Sequence, residues 1–334
     1  MVKFEGYKVL ISFKDIEKKS EKEVHGINIP KNERTCIFCG ADDAKFTKVA
    51  HAVSETVGNK SLISHLECDK CNENFGKMFE DSLGKYMLPY KIITEIFGKS
   101  KQLVSKDLSK DQESLCNSFR IQVNKNEPVI DGYKAKSLII EKKDTGIIKK
   151  VKDGIEITIP RQHYYPPAVY CAFLKMAYSI MPLKYYEQYV KQIFVLKELA
   201  LKNSIYNDEE KKKIMESKQN CGLFFFFPGI NPLGGVNAIL WEKVDFEESY
   251  PKILFTLEMK NFSFTIPVIT DLEQEDYKMP KFSSDKEMQY GALDFKKEEI
   301  EFKCLMNANI IELEDYTLIE EKLKSLKDRK KNKK

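Results

Sequence analysis

Apolar and polar positions alternate near the start of the chain in the way expected for β-strands. Tyr7, Val9, Ile11 and Phe13 fall on every second position and predict a strand that packs beside the core formed by the next hundred residues. Residues 44–50 and 61–66 predict two shorter strands, and the first of them ends at His51. After residue 72 the apolar residues recur at the spacing of one helix face, namely Phe75, Met78, Phe79, Leu83 and Met87. The local order is therefore strand, strand, helix.

The second half of the chain has the pattern of a helical pair followed by antiparallel strands. Pro166 and Pro167 open a helix that runs to about residue 181, Pro182 interrupts it, and a second helix covers about 184–202. Residues 221–229 predict a buried strand, and 253–259 with 262–268 predict a hairpin that turns at Lys260 and Asn261. We therefore predict an α+β fold, with a small N-terminal domain followed by a larger α+β domain that has an antiparallel sheet and a helical pair.

The length of 334 residues suggests about two domains, and 42% apolar with 32% charged residues excludes a mostly disordered chain. The longest apolar stretch, at about 167–181, contains Lys175, so no membrane-spanning helix is predicted. The first residues carry charges and no secretory pattern. We expect a cytoplasmic protein with no membrane partner, and the sequence favours no particular oligomeric state.

Charge is concentrated at two places, although the net charge is only +4. Residues 322–334 contain eight lysine or arginine residues against Asp328 alone, and residues 91–110 are also rich in lysine. Either segment suits a polyanion such as DNA, and a solvated tail or linker is the alternative interpretation. We divide the chain into a domain at 1–110 that includes the basic linker, an α+β domain at 111–321, and a basic tail at 322–334.

Four of the eight cysteines fall into two CxxC pairs. Cys36 and Cys39 lie in TCIFCG, and Cys68 and Cys71 lie in ECDKCN. A gap of two residues lets both thiolates of a pair face one ion, and two such pairs supply the four sulfur ligands of a closed tetrahedral zinc site. A redox pair is the alternative, but that chemistry does not need a second copy of the motif. The sequence therefore predicts a structural Zn²⁺, with the two short strands between the pairs.

The segment from Ala50 to Gly76, together with the paired cysteines around it, resembles the HNH (ββα-metal) endonuclease family. The resemblance covers about residues 34–88, and the two CxxC pairs, the histidine, Gly58-Asn59 and Cys71-Asn72 all fall at compatible spacings. It implies that His51 is the general base and that Asn72, at the start of the helix, helps to hold one catalytic Mg²⁺ or Mn²⁺ against the scissile phosphate of DNA.

Some of the site residues implied by the resemblance could have other roles, and one expected metal ligand is missing. The family often places Asp, Glu or His immediately before the base, whereas this chain has Ala50. Glu80 is the first candidate to replace that metal ligand, and Glu55 is the second. Asn72 is equally suited to cap the helix, and Asn59 suits a turn or the orientation of His51.

The resemblance implies a metal-dependent endonuclease that hydrolyses DNA, and bacterial relatives suggest a role in phage defence or restriction. The C-terminal domain would then act as a sensor or as a partner-binding module for a defence-system protein or a nucleotide signal. The alternative function is a non-catalytic zinc module that binds nucleic acid or protein and whose nuclease site has decayed, which the alanine at position 50 favours.

Overall fold

A computed structural model describes residues 2–26, 29–94 and 96, the strands within 102–160, residues 163–201, 222–228, 232–244, 249–268, 278–293 and 295, and a last strand at 299–304. Its strands are β1 (Val2–Phe4), β2 (Tyr7–Phe13), β3 (Lys22–Glu23), β4 (Ala50–His51), β5 (Leu62–Ser64), β6 (Gln102–Lys106), β7 (Arg120–Asn124), β8 (Val129–Ile130), β9 (Tyr133–Lys134), β10 (Ile148–Val151), β11 (Gly154–Pro160), β12 (Gly222–Phe226), β13 (Val236–Lys243), β14 (Ile253–Met259), β15 (Phe262–Val268), β16 (Phe282–Ser284), β17 (Gln289–Leu293) and β18 (Glu299–Cys304). The main helices are α1 (Asp69–Phe75), α2 (Asp81–Thr94), α3 (Pro166–Ser179) and α4 (Tyr186–Leu201). The predicted α+β class with antiparallel sheets is confirmed.

The helix predicted after the second cysteine pair is present and longer than its apolar pattern indicated. It consists of α1, a π-helical turn at Gly76–Glu80 and α2, which follow one another without a break. Its buried face contains Phe75, Phe79, Leu83 and Met87. The segment interpreted as a basic linker begins inside this helix, where Lys91 is buried, and it continues as strand β6, which pairs with β7.

The two strands between the cysteine pairs are shorter than predicted. Strand β4 has only two residues, against the seven expected at 44–50, and it pairs antiparallel with β5, which also pairs parallel with β3. The preceding residues Thr47 and Lys48 direct their main-chain N–H groups to the Asp69 carboxylate instead of to a neighbouring strand. A side-chain acceptor therefore replaces the ladder that the alternating pattern suggested.

The largest sheet in the described part of the chain is antiparallel and has six strands in the order β17-β12-β15-β14-β13-β2. The predicted hairpin is its β14–β15 pair, and the buried strand is β12. Strand β2 lies at the sheet edge beside β13 rather than against the residues that follow it in sequence. In the pairing of β2 with β13, Ile11 lies opposite Leu240 and Val9 lies opposite Trp241, so one residue of β2 bulges out of the ladder. Val9 is 42% exposed, although the alternating pattern placed it on the apolar face of the strand.

Helices α2 and α3 pack on one face of this sheet. The Tyr90 ring of α2 lies 4.8 Å from the Phe264 ring and 5.1 Å from the Phe262 ring, measured between centroids. The Phe173 ring of α3 lies 6.1 Å from the Phe264 ring. The opposite face packs against β1, where Phe4 lies 5.4 Å from Trp241. The cysteine-rich region and the sheet therefore share one hydrophobic core.

The predicted helical pair is confirmed as α3 and α4, which are separated by a short 3-10 turn at Leu183–Tyr185. None of the helices in the described ranges is both long and apolar enough to cross a bilayer. By its internal packing the chain divides into two compact units, one formed by residues 1–143 with 160–299 and the other by 144–159 with 300–334. The second unit contains most of a three-stranded sheet, β10-β11-β18. The predicted basic tail at 322–334 lies outside the described residues.

Candidate functional site

The four paired cysteines meet in one cluster. Their sulfur atoms all lie within 4.8 Å of one another, and they are the one group of three or more His, Cys, Asp or Glu side chains in the described ranges that could share an ion. Cys36 and Cys39 sit on a turn that ends at Gly40, whose φ of +67° is one that L side chains rarely adopt. Cys68 caps α1 by accepting a hydrogen bond from the Cys71 N–H, so the helix start places the second pair.

The cluster is compatible with a structural zinc ion. Four sulfur atoms at the usual Zn–S bond length of about 2.3 Å in a tetrahedron are separated by about 3.8 Å. The Sγ atoms of Cys39 and Cys68, which come from different pairs, are 3.8 Å apart. Three of the four side chains are buried and Cys39 is partly exposed, which is the environment of a closed structural site.

Hydrogen bonds among the four cysteines shift the pKa values of three of their thiols in opposite directions. Hydrogen bonds from the thiols of Cys36 and Cys71 lower the pKa of Cys68 to about 2. The bond to Cys68 raises the pKa of Cys36 to about 12, and bonds with Cys36 and Cys68 raise the pKa of Cys71. Four sulfur atoms this close together cannot all be ionised without a counter-charge. A bound dication supplies the counter-charge that lets all four act as thiolate ligands.

His51 lies at the end of β4, opposite Ile63 of β5. Its side chain is 26% exposed, so the imidazole is reachable from solvent. The Nε2 atom lies 3.5 Å from Glu55 Oε1, and Glu55 opens a 3-10 turn that Ser54 caps. This pair places a carboxylate beside the ring, where it stabilises an imidazolium. Of the predicted site residues, His51, Glu55 and Asn59 are brought together.

Asn59 is 1% exposed and holds the loop between β4 and β5. Its amide nitrogen donates to the carbonyl oxygens of Val53 and Leu62 at 2.6 and 2.8 Å. Its Oδ1 accepts from the N–H groups of Ser61 and Leu62 at 3.1 and 2.8 Å. Both amide hydrogens are thus already used, and the 3.5 Å separation from His51 Nδ1 is a secondary contact. Asn59 therefore bonds the turn with four short hydrogen bonds and contacts His51 at a longer distance.

We expect Asn59→Ala to lower the free energy of unfolding by roughly 2–4 kcal/mol, because it leaves buried main-chain groups without partners. Urea unfolding followed by circular dichroism measures this change. Asn32→Ala is the matched control, since Asn32 is exposed and its replacement should change stability by less than about 0.5 kcal/mol. Equal stabilities for the two variants would contradict the role assigned to Asn59.

Asn72 and Glu80, the remaining predicted ligands, lie on the helix after the second cysteine pair. The Asn72 N–H donates to the Cys68 carbonyl at 3.0 Å, so its main chain belongs to the first helical turn, and its side chain is partly exposed. Glu80 ends the π-helical turn and borders an open cavity of about 450 Å³ that Thr56 and Lys91 also line. Glu80 therefore faces a depression next to the turn that carries Glu55.

Two residues near the site were missed by sequence reasoning. Lys175 of α3 donates a hydrogen bond to the His51 carbonyl oxygen at 2.8 Å and pairs with the buried Glu67 at 2.9 Å. The signal was present in the sequence, because Lys175 is the charged residue inside the longest apolar stretch. A lysine in such a helix needs a buried partner, but no local pattern identifies which residue supplies it.

Residues 36–88 match the model of a protein family described as HNH endonuclease. Neither the curated proteins nor the solved structures gave a match to this chain. The matched span begins at the first cysteine of the cluster and ends within α2, so it contains all four sulfur ligands together with His51, Asn59 and Asn72. Residues 36–88, which we call the HNH region, therefore match the HNH endonuclease family and contain the cysteine cluster that could hold a zinc ion.

Proposed function

We propose that this protein is a metal-dependent HNH endonuclease that hydrolyses phosphodiester bonds of DNA. The observation that carries the proposal is the position of His51, which ends a strand inside the matched region, is partly exposed and lies 3.5 Å from a carboxylate. Hydrolysis of a phosphodiester needs a water made nucleophilic and a group that accepts its proton. A neutral imidazole does this near physiological pH, because the pKa of an unperturbed histidine is about 6.5.

In this proposal several residues share the work of the reaction, and Glu55 serves both the base and the metal. His51 accepts the proton of the attacking water, and Glu55 stabilises the resulting imidazolium from the Nε2 side. Asn59 keeps the loop between β4 and β5 in the conformation that brings His51 and Glu55 together. The cysteine cluster anchors the turn at 36–40 to the start of α1 and thereby fixes the frame around the strand.

Asn72, Glu80 and Glu55 are the residues proposed to hold a catalytic Mg²⁺ or Mn²⁺. All three offer oxygen atoms, which these hard cations prefer, and such ions keep several water ligands, so few protein ligands suffice. When bound, the ion neutralises charge on the scissile phosphate and the leaving oxygen. Ala50 contributes no ligand, since it is 1% exposed and carries only a methyl group.

The proposal extends to the biological role of the nuclease. A nuclease of this family in bacteria suits phage defence or restriction, with the C-terminal domain at 111–321 as the sensor or partner-binding module. The packing of α3 against the HNH region supports a link of this kind, because Lys175 contacts the His51 main chain directly.

We expect His51→Ala to lower the rate of DNA cleavage by roughly 10²–10⁴-fold, because the reaction loses its general base. Conversion of supercoiled plasmid to open-circular and linear forms, with and without added Mg²⁺ or Mn²⁺, measures this rate. His163→Ala is the matched control, since His163 is exposed. Zinc content and circular dichroism should be unchanged in both variants. Cleavage by His51→Ala at the wild-type rate would contradict the proposal.

A non-catalytic zinc module is the second candidate, and the buried Ala50 favours it because the usual ligand position is filled by an apolar side chain. This function predicts that the wild-type protein binds nucleic acid without cleaving plasmid under any metal condition. Metal-dependent cleavage that is lost in His51→Ala excludes it.

A further inference from the structure

We infer that Lys175 is a positioning residue for His51, and that its ammonium group ties the strand carrying the base to the start of the zinc-binding helix. Lys175 lies on α3, 124 residues after His51 in sequence. The catalytic consequence of this inference rests on the proposed function, whereas the tie itself is a property of the fold and is tested separately.

Two contacts define the tie. The Lys175 Nζ donates to the main-chain oxygen of His51 at 2.8 Å and lies 2.9 Å from Glu67 Oε2. Strand β4 has only two residues, so its own ladder constrains His51 weakly. A charge-assisted hydrogen bond to the carbonyl of the same residue therefore restrains the backbone from which the imidazole projects.

Burial explains why the contacts are maintained. The side chains of Lys175 and Glu67 are 5% and 0% exposed, and α3 is buried along its length from Pro167 to Ser179. Removing an ammonium from water is tolerated only when it is paired and hydrogen-bonded. In the described part of the chain, Glu67 and the His51 carbonyl are the groups that satisfy it. Burial raises the pKa of Glu67, and the nearby Lys175 ammonium opposes that rise.

The position of Glu67 extends the tie to the zinc cluster. Glu67 immediately precedes Cys68, which is both a sulfur ligand and the cap of α1. One ammonium therefore contacts the residue proposed as the base and the residue next to the metal ligand. A displacement of α3 would move both groups.

Lys175 acts behind the site and does not touch the substrate. It lines, with Ser54 and Glu80, a cavity of about 10 Å³, which holds no more than about one water molecule. A nucleotide cannot enter a space of this size. The ammonium therefore influences the reaction through the His51 main chain.

The test uses full-length protein labelled with ¹³C at the histidine carbonyl carbons. The chain has four histidines, so four signals are expected, and the one lost in His51→Ala belongs to His51. Lys175→Met/Glu67→Gln removes both charges and avoids a buried unpaired carboxylate. Lys175→Arg keeps a cationic donor at the same place, and Lys191→Met on the exposed face of α4 is the matched control.

We expect the double variant to keep its zinc and to shift the His51 carbonyl signal, because the hydrogen bond to that oxygen is lost. We expect its kcat for plasmid cleavage to fall roughly 10–100-fold with KM unchanged, since a small misplacement of a reacting group has an effect of this size. Lys175→Arg should restore most of the kcat and the carbonyl signal. Lys191→Met should resemble the wild type in both.

An unchanged His51 carbonyl signal in the double variant would overturn the inference, and so would a shifted signal with wild-type kcat. A wild-type protein that cleaves no DNA counts against the proposed function instead. In that case the carbonyl signal still decides whether Lys175 holds the His51 strand.

Discussion

Cys68→Ser is expected to abolish zinc binding and to unfold the region between residues 36 and 88. The substitution removes one of four sulfur ligands, and a serine hydroxyl does not replace a thiolate on zinc. Structural zinc contributes about 10–16 kcal/mol to the folding of small zinc peptides, so its loss exceeds the stability of an ordinary domain. Cys68 also caps α1, and a serine hydroxyl is itself a good N-cap, so the substitution removes the metal ligand without removing the cap.

Metal analysis of the purified protein measures this effect directly. The wild type should contain about one zinc ion per chain, and Cys68→Ser should contain almost none, with a melting temperature lower by more than about 10 °C. Cys171→Ala is the matched control, because Cys171 is buried in α3 outside the cluster. It should keep the zinc ion. Full zinc occupancy in Cys68→Ser would show that the cluster is not the zinc site.

The second large effect concerns the isolated segment 1–110, which the sequence suggested as a nuclease domain. We expect this fragment not to fold, because many of its contacts involve the second half of the chain. Strand β2 pairs with β13, the Tyr90 ring packs on Phe262 and Phe264, and Glu67 is paired with Lys175. Without these partners the fragment exposes apolar surface and leaves a carboxylate buried and unpaired.

Circular dichroism, zinc content and plasmid cleavage of the fragment, compared with the full chain, measure this prediction. A chain shortened to residues 1–321 is the control, because it keeps β13, β15 and α3, which supply the contacts that the fragment lacks. It should fold and bind zinc as the full chain does. A fragment 1–110 that binds zinc, melts cooperatively and cleaves plasmid would support the sequence-based division at residue 110.

The features read correctly from the sequence are those that depend on neighbouring residues. Helices α3 and α4 follow the apolar periodicity, the prolines that open the first helix and the proline that separates the two, and the β14–β15 hairpin follows its alternation. The short strand β4 was overestimated, because a run of alternating residues does not reveal that Asp69 captures the N–H groups of Thr47 and Lys48. A side chain twenty residues away decided the length of that strand.

In the candidate site, too, the features that depend on neighbouring residues were predicted from the sequence. The spacing of the cysteines within each pair is a local property, and it predicted the cluster that the fold forms. Glu55 and Asn59 lie four and eight residues after His51, so the same turn places all three near one another. Asn72 and Glu80 are placed by the helix, and their role as metal ligands stays a prediction.

The sequence by itself indicated the two cysteine pairs and the course of the helices, because each depends on spacings of a few residues. The proposal of His51 as the base came from the resemblance to the HNH family. Only the tertiary structure decided that β2 completes a sheet made by residues far along the chain and that Lys175 holds the His51 carbonyl. These contacts form because an apolar strand face and a buried ammonium must find partners, and the partner is selected by three-dimensional packing rather than by distance along the chain.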